Sequence, residues 1–258
     1  MTNPLTHLSV SSLKEYLACP RKFRLRRIEQ RLPEYRPAAL AFGTAFHQAI
    51  AFGLFQHSLG ESATGEAVHA KFRDALHREI HADEVPVLYQ DDESEEGLVD
   101  KGIEMVEAFW QHVPLPDGVI GIEKRFSIEL HDPDTGEVLP PLVGSIDAAV
   151  EARGRPVVWE LKTGKQRWSE DQLLHDFQST GYQRAFRTEY GVNPDLMLAV
   201  VTKARQPTVQ LTKLRRSAGD ERELLETAAS ICRAVEAGVD HRVRTWACKS
   251  CEYAGACG

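Results

Sequence analysis

The chain has 258 residues, 42% of them hydrophobic and 27% charged, long enough for one large domain or two small ones and ordinary for a soluble globular protein. Its net charge of −7 excludes a polycation with bulk affinity for nucleic acid but leaves local basic patches open. No interval approaches the ~18 apolar residues expected of a membrane helix, and MTNPLTHLSV lacks a charged segment followed by an apolar one, so a cytoplasmic protein with no membrane partner is expected.

In chain order, the first expected helix is capped by Ser11 or Ser12 and runs through Arg27. It carries Arg21, Lys22, Arg24, Arg26 and Arg27, five positive charges in seven residues, which read either as a solvated helix face or as a phosphate-binding patch. Helices follow at 38–57, 64–81 and 97–112, so residues 1–115 form a helical region. His47, four residues after Gly43 on an apolar helix, is either a satisfied core histidine or a ligand. The acidic run at 91–96 reads as an exposed loop. Strands are expected at 119–130, 142–150 and 156–162, then a helix at about 169–190, strands at 195–203 and 207–214, and a helix at 218–237. The class is α+β, a small mixed sheet flanked by helices, with residues 116–216 as its core and 217–258 as a closing helix and tail of a single domain. No repeat of 20 to 50 residues and no low-complexity tract is visible.

The chemistry concentrates on one hairpin. Asp147 is followed thirteen residues later by Glu160-Leu161-Lys162, with Gly154 and Pro156 between the strands. A turn centred near Gly154 sets Asp147 opposite about residue 161, and the period of two puts Glu160 and Lys162 on one face. Two acids and a lysine on an apolar strand pair are costly to bury unless a divalent cation compensates, although a surface hairpin with a Lys-Glu pair would also satisfy the pattern. Gln178 and Tyr182, four apart on the next helix, project toward the same place, where Tyr182 could equally be core.

Five cysteines are unevenly placed. Cys248, Cys251 and Cys257 form C-x2-C-x5-C near the end of the sequence, and Cys19, beside Pro20, is the candidate fourth ligand. An all-cysteine set suits a structural zinc ion or an iron-sulfur cluster, and spacing does not choose between them. Cys232, in AASICRAV, reads as core.

Taken in order, Cys19-Pro20-x-x-Phe23, Gly43-x-x-x-His47, Gly144-Ser145-Ile146-Asp147, Glu160-Leu161-Lys162-Thr163-Gly164-Lys165, Gln178-x-x-x-Tyr182 and the terminal cysteines resemble the RecB-type exonucleases of the PD-(D/E)XK nuclease superfamily. The resemblance is to the iron-sulfur branch that includes the AddB nuclease domain and the CRISPR spacer-acquisition nucleases. It implies a restriction-endonuclease-like core sheet in which His47, Asp147, Glu160 and the Leu161 carbonyl bind Mg²⁺ or Mn²⁺. It implies that Lys162 orients or deprotonates the attacking water and that Gln178 and Tyr182 hold substrate or the lysine. Cys19, Cys248, Cys251 and Cys257 would ligate a 4Fe-4S cluster joining the termini, and Glu123 would support the site. The implied activity is a metal-dependent DNA exonuclease working on single-stranded ends in repair, recombination or CRISPR adaptation. A non-catalytic DNA-end-binding subunit of a helicase-nuclease complex is the alternative. Arg21, Lys22 and Arg24 are the expected DNA contacts. No G-x-x-x-x-G-K-[ST] motor motif is present, so a helicase, or a CRISPR integrase, would be a partner.

Overall fold

A computed structural model of the chain describes residues 5–82, 84–90 and 92–257. The helices are α1 (Val10–Ala18), α2 (Pro20–Phe23), α3 (Ala38–Ser58), α4 (Glu66–His81), α5 (Glu95–His112), α6 (Glu170–Leu174), α7 (Phe177–Tyr190) and α8 (Ala218–Glu236). The strands are β1 (Arg36–Pro37), β2 (Val87–Leu88), β3 (Gly118–His131), β4 (Val138–Ala152), β5 (Arg155–Gly164), β6 (Asp195–Thr202) and β7 (Val209–Leu214). The expected α+β class holds, with corrections at three element ends.

The first helix is capped by Ser9, not Ser11 or Ser12: its hydroxyl accepts from the Ser12 amide while the Ser12 hydroxyl closes a capping box. It stops at Ala18 because Cys19 precedes proline and is extended (φ −163°), so the segment to Arg27 is broken into α1, α2 and a π-type turn over Arg24–Ile28. The acidic run is only half loop. Ser94 caps α5 and sets Glu95 and Glu96 in its first turn, where the helix dipole favours acids; Asp91 lies outside the described residues. The helix expected over 169–190 is cut in two, because Asp176 accepts the Gln178 amide and starts α7 afresh.

Strands β3 to β7 form one five-stranded sheet in sequential order. The only parallel neighbours in that sheet are β5 and β6, joined through α6 and α7; the other pairs are antiparallel. Ahead of α1, Leu8 bridges β4 by donating to Pro141 O (2.8 Å) and accepting from Val143 N (2.8 Å).

Alternation along the strands divides the core between two helical layers. Val158, Leu198 and Val200 pack with α1, α7 and α8, through residues such as Leu13, Phe186 and Ala228. Trp159, Leu161, Ala199 and Val201 pack on the other side with α3, α4 and α5, through Phe46, Phe72 and Phe109. The helix α3 is the one exception to the expectation that nothing here resembles a membrane span. Its 21 residues are long and apolar enough to cross a membrane, yet it packs into the second layer by Phe42, Ala45, Phe46, Ala49 and Ile50.

The α4–α5 crossing is close because of Gly102, where a Cβ would fall 1.9 Å from the Phe72 ring. Phe72 is fully buried among α3 and α5 and has no room to retreat. Gly102→Ala should therefore destabilise the protein by about 1–3 kcal/mol through overpacking, read as a lower denaturation midpoint at unchanged slope. Wild-type stability in that variant would show that the α4–α5 contact is looser than described.

Candidate metal centre

The centre is fixed first by a turn. Ala152 pairs with Arg155, leaving Arg153 and Gly154 as a two-residue loop with φ of +54° and +69°, the signature of a type I′ hairpin. Pairing runs back to Ala148 opposite Trp159, so the next residues, Asp147 and Glu160, stand opposite each other, one residue from the expected register. There the ladder ends. The Leu161 amide donates to Asp147 Oδ2 at 2.7 Å instead of to a strand carbonyl.

On the other side, Ile122 pairs with Ala148 and Lys124 with Ile146, which brackets Glu123 opposite Asp147. Glu123, Asp147 and Glu160 thus lie at one level across β3, β4 and β5. Glu123 has φ +46°, a left-handed conformation that costs a non-glycine residue roughly 1–2 kcal/mol and marks functional sites more often than ordinary strands.

Two helices complete the site. From α3, His47 brings Nδ1 to 3.6 Å from Asp147 Oδ1. From α7, whose first turn begins beside the site, Tyr182 donates to Asp147 Oδ1 (3.2 Å) and Ser179 donates to Glu160 Oε2. Gln178 links these elements, donating to the Tyr182 hydroxyl (2.6 Å) while its carbonyl accepts from Lys162 Nζ (2.9 Å). Lys162 Nζ also lies 3.0 Å from Glu160 Oε1. The expected Asp147, Glu160, Lys162, Gln178, Tyr182 and His47 therefore converge.

His47, Glu123 and Asp147 each place a ligand atom within 4.8 Å of the others. That trio differs from the expected ligand set, in which Glu160 took the place of Glu123. Glu160 falls outside the trio, and what Leu161 contributes here is its amide. Glu160 Oε1 is buried and has Lys162 Nζ 3.0 Å away as its partner. A carboxylate oxygen so placed fits a cation ligand, and an imidazole with carboxylates is a hard-to-borderline donor set. Ser179 and Asp176 went unnoticed in the sequence. The signal for Ser179 was the need of a buried Glu160 for a donor on the facing helix.

Burial and charge compete at each titratable group. For Asp147 burial pushes the pKa up, but the neighbouring His47 and Lys162 charges and the Leu161 amide hold it below the usual carboxylate value. For Glu160 burial prevails over Lys162 and Ser179, and its pKa is raised. Burial pulls Lys162 down, yet Glu160 and Asp147 more than offset this and hold it protonated. Burial likewise lowers His47, and the Asp147 carboxylate raises it beyond its ordinary value. Burial also raises the Tyr182 phenol, which acts here as a hydroxyl donor.

The cysteines gather elsewhere. Cys19, Cys248, Cys251 and Cys257 line one cavity of about 330 Å³, while Cys232 is 3% exposed in the α8 core, as expected. The termini around this cavity are laced together. Tyr16 donates to Val239 O (2.9 Å), Glu34 N to Glu252 O (2.8 Å), and Gly255 N to Glu34 (2.7 Å). The basic run serves the same join. Arg21 pairs with Asp240 (3.0 Å), Lys22 with Glu252 (2.9 Å) and Arg24 with Asp240 and Glu29 (2.8 and 3.0 Å), while Arg26 and Arg27 both pair with Glu15. Arg21, Lys22 and Arg24 each stand beside a carboxylate, with Arg21 and Arg24 sharing Asp240.

Comparison with known proteins accords with this geometry. Residues 7–258 match the PD-(D/E)XK nuclease superfamily. The chain belongs to that superfamily. Its nucleases use divalent metals, in keeping with the acidic centre. The chain is 32% identical over 236 residues to the gene 69 protein of Mycobacterium phage D29, covering 81% of this chain and 82% of that one. In fold it is similar to a crystal structure from Eubacterium rectale provisionally named an exonuclease, with a TM-score of 0.57 and 15% identity over 96% of this chain and 88% of that one.

The strain at Glu123 separates its two roles in this nuclease-superfamily fold. Glu123→Gly should hold or raise stability by relieving the left-handed φ, up to about 1 kcal/mol, and weaken Mn²⁺ binding by about 10-fold or more. Thermal denaturation and metal titration would read both; lost stability with unchanged Mn²⁺ affinity would make Glu123 a structural residue.

Proposed function

We propose that the chain is a divalent-metal-dependent deoxyribonuclease that hydrolyses phosphodiesters, acting as an exonuclease on single-stranded DNA ends. The observation that carries this reading is the level of three carboxylates across β3, β4 and β5 with Lys162 held beside them by Gln178. His47, Glu123 and Asp147, with Glu160, would hold Mg²⁺ or Mn²⁺. When bound, such an ion neutralises phosphate oxygens and makes hydroxide accessible near neutral pH.

The chain's own residues do the rest. Lys162, protonated and fixed between Glu160 and Gln178, is placed to donate to a phosphate oxygen and to orient the attacking water. The notion that Lys162 itself removes a proton sits poorly with the two carboxylates that keep it charged. Tyr182 and Ser179 keep Asp147 and Glu160 in place as substrate arrives, and the first turn of α7 turns its partial positive end toward the same carboxylates.

We assign the chain, on the same reading, to the RecB-like iron-sulfur branch, with Cys19, Cys248, Cys251 and Cys257 holding a 4Fe-4S cluster. The resemblance of the whole cysteine pattern to that branch, rather than the spacing by itself, favours a cluster over one zinc ion. Arg242 donates to Cys257 Sγ at 3.1 Å. Arg21, Lys22 and Arg24 could reach phosphate only by giving up Asp240, Glu29 and Glu252, so their share in DNA binding is proposed as indirect, through seating Cys19. A helicase or a CRISPR integrase would be the partner that delivers ends. The rival reading, a non-catalytic end-binding subunit, is disfavoured because Asp147, Glu160 and Lys162 are all present and converge.

Digestion of end-labelled single- and double-stranded DNA with Mn²⁺ or Mg²⁺ tests the activity. Asp147→Ala should abolish cleavage, Lys162→Ala should lower it by about 10²–10⁴-fold, and His47→Ala should recover in part at high Mn²⁺ because carboxylates remain. Wild-type cleavage by Asp147→Ala would place the site elsewhere.

The cluster has its own test. Protein prepared without oxygen should be brown and hold roughly four irons. Replacing Cys19, Cys248, Cys251 or Cys257 by Ser should bleach it and loosen both termini, since metal binding is also folding free energy here; Cys232→Ser should stay coloured. Colourless protein with stoichiometric zinc would defeat the cluster.

A further inference from the structure

Apart from both of these centres, α4 and α5 bring together His77, His81 and Glu95. The two histidines are four residues apart and so share a helix face; their ring centroids are 4.4 Å apart. Glu95, the first residue of α5, meets both at once. His77 Nδ1 lies 2.9 Å from Glu95 Oε1 and His81 Nε2 lies 3.0 Å from Glu95 Oε2. The three residues each place a ligand atom within 4.8 Å of the others.

We propose that His77, His81 and Glu95 form a binding site for a divalent first-row transition ion of the Zn²⁺, Ni²⁺ and Cu²⁺ group. Two imidazole nitrogens and one carboxylate oxygen are a borderline donor set, and two histidines at this helical spacing chelate one ion from one face. Late transition ions are favoured over Mg²⁺ and Mn²⁺ by such nitrogen-rich sets, which separates this site chemically from the carboxylate-rich centre at Asp147. Geometry asks little rearrangement. Metal–ligand bonds of about 2.1 Å draw a tetrahedron of edge about 3.4 Å, and the three ligand atoms already lie within 4.8 Å of one another. Water completes the shell, because the His77 and His81 side chains are 68% and 54% exposed.

The site ties two ends of one connection. Between His81 and Glu95 the chain forms β2, which pairs with β1 ahead of α3, and Gln90, whose carbonyl accepts from Lys165 at the end of β5 (2.6 Å). An ion at His81 and Glu95 would fasten that connection at its neck.

The test uses Zn²⁺ as probe on the full, cluster-loaded chain with excess Mg²⁺ occupying the carboxylate-rich centre. Equilibrium dialysis with metal analysis should find one more Zn²⁺ per chain in wild type than in His77→Ala/His81→Ala, and Zn²⁺ should raise the melting temperature of wild type alone. Cu²⁺ added in its place should give a spin-resonance spectrum split by two imidazole nitrogens, absent from the variant. Equal Zn²⁺ stoichiometry, or a Cu²⁺ spectrum the variant shares, would overturn the site. Should the double variant fold poorly, His81→Gln, which keeps a donor toward Glu95, repeats the comparison with the same two outcomes. DNA cleavage is not a readout here, so this site and the nuclease reading fail separately.

Discussion

Asp147 and Glu160 are 6% and 2% exposed, and the need to keep two carboxylates inside an apolar hairpin organises everything around them. An uncompensated buried charge costs several kcal/mol, so each must find donors, and the donors come from every neighbouring element. The β5 backbone supplies the Leu161 amide, α7 supplies Ser179 and Tyr182, and α3 supplies His47. The β4–β5 pairing ends at Ala148 and Trp159, where Asp147 takes the Leu161 amide.

Their placement depends on small local choices. The Arg153-Gly154 turn, with both residues left-handed, fixes the hairpin register, and a slip of one residue would turn Glu160 and Lys162 to the α3 face. Asp176 then restarts the helix after α6, aiming the first turn of α7 at Glu160. Asp176 is itself only 6% exposed and is paired with Lys14 of α1. That pair gives the first layer a direct hold on the orientation of Gln178. The centre is therefore coupled to α1, whose other end reaches Cys19.

Much of this could be read from the residues alone, and the misses share a cause. The strands and long helices declared themselves because their apolar residues keep the period of two or of 3.6 against a buried face. The pairing of Asp147 with Glu160 falls within one residue of the expected register, and the exact pairing depends on a turn centred between Arg153 and Gly154 that only backbone dihedrals decide. Glu123 was placed only as a support of the site, through the resemblance, because a left-handed glutamate in a strand leaves no mark on sequence patterning. The basic run from Arg21 to Arg27 shows its charge density in sequence but not its partners. Asp240 and Glu252 lie more than two hundred residues away.

Those distant partners carry the last step. Among the described contacts that join the N-terminal helices to the C-terminal tail are ion pairs, backbone hydrogen bonds and the buried Tyr253, whose hydroxyl donates to Arg31 O at 3.2 Å. Exposed ion pairs are worth at most about 1 kcal/mol each, which is weak support for closing a loop of this length. Four cysteines line one cavity at this join, and the cluster proposed for them would supply what it lacks, a bonded centre whose binding energy is also closing energy. Because α1 bears both the approach to Cys19 and the Lys14 hold on Asp176, order at the cysteine end and the aim of Gln178 at the carboxylates are carried by the same short helix.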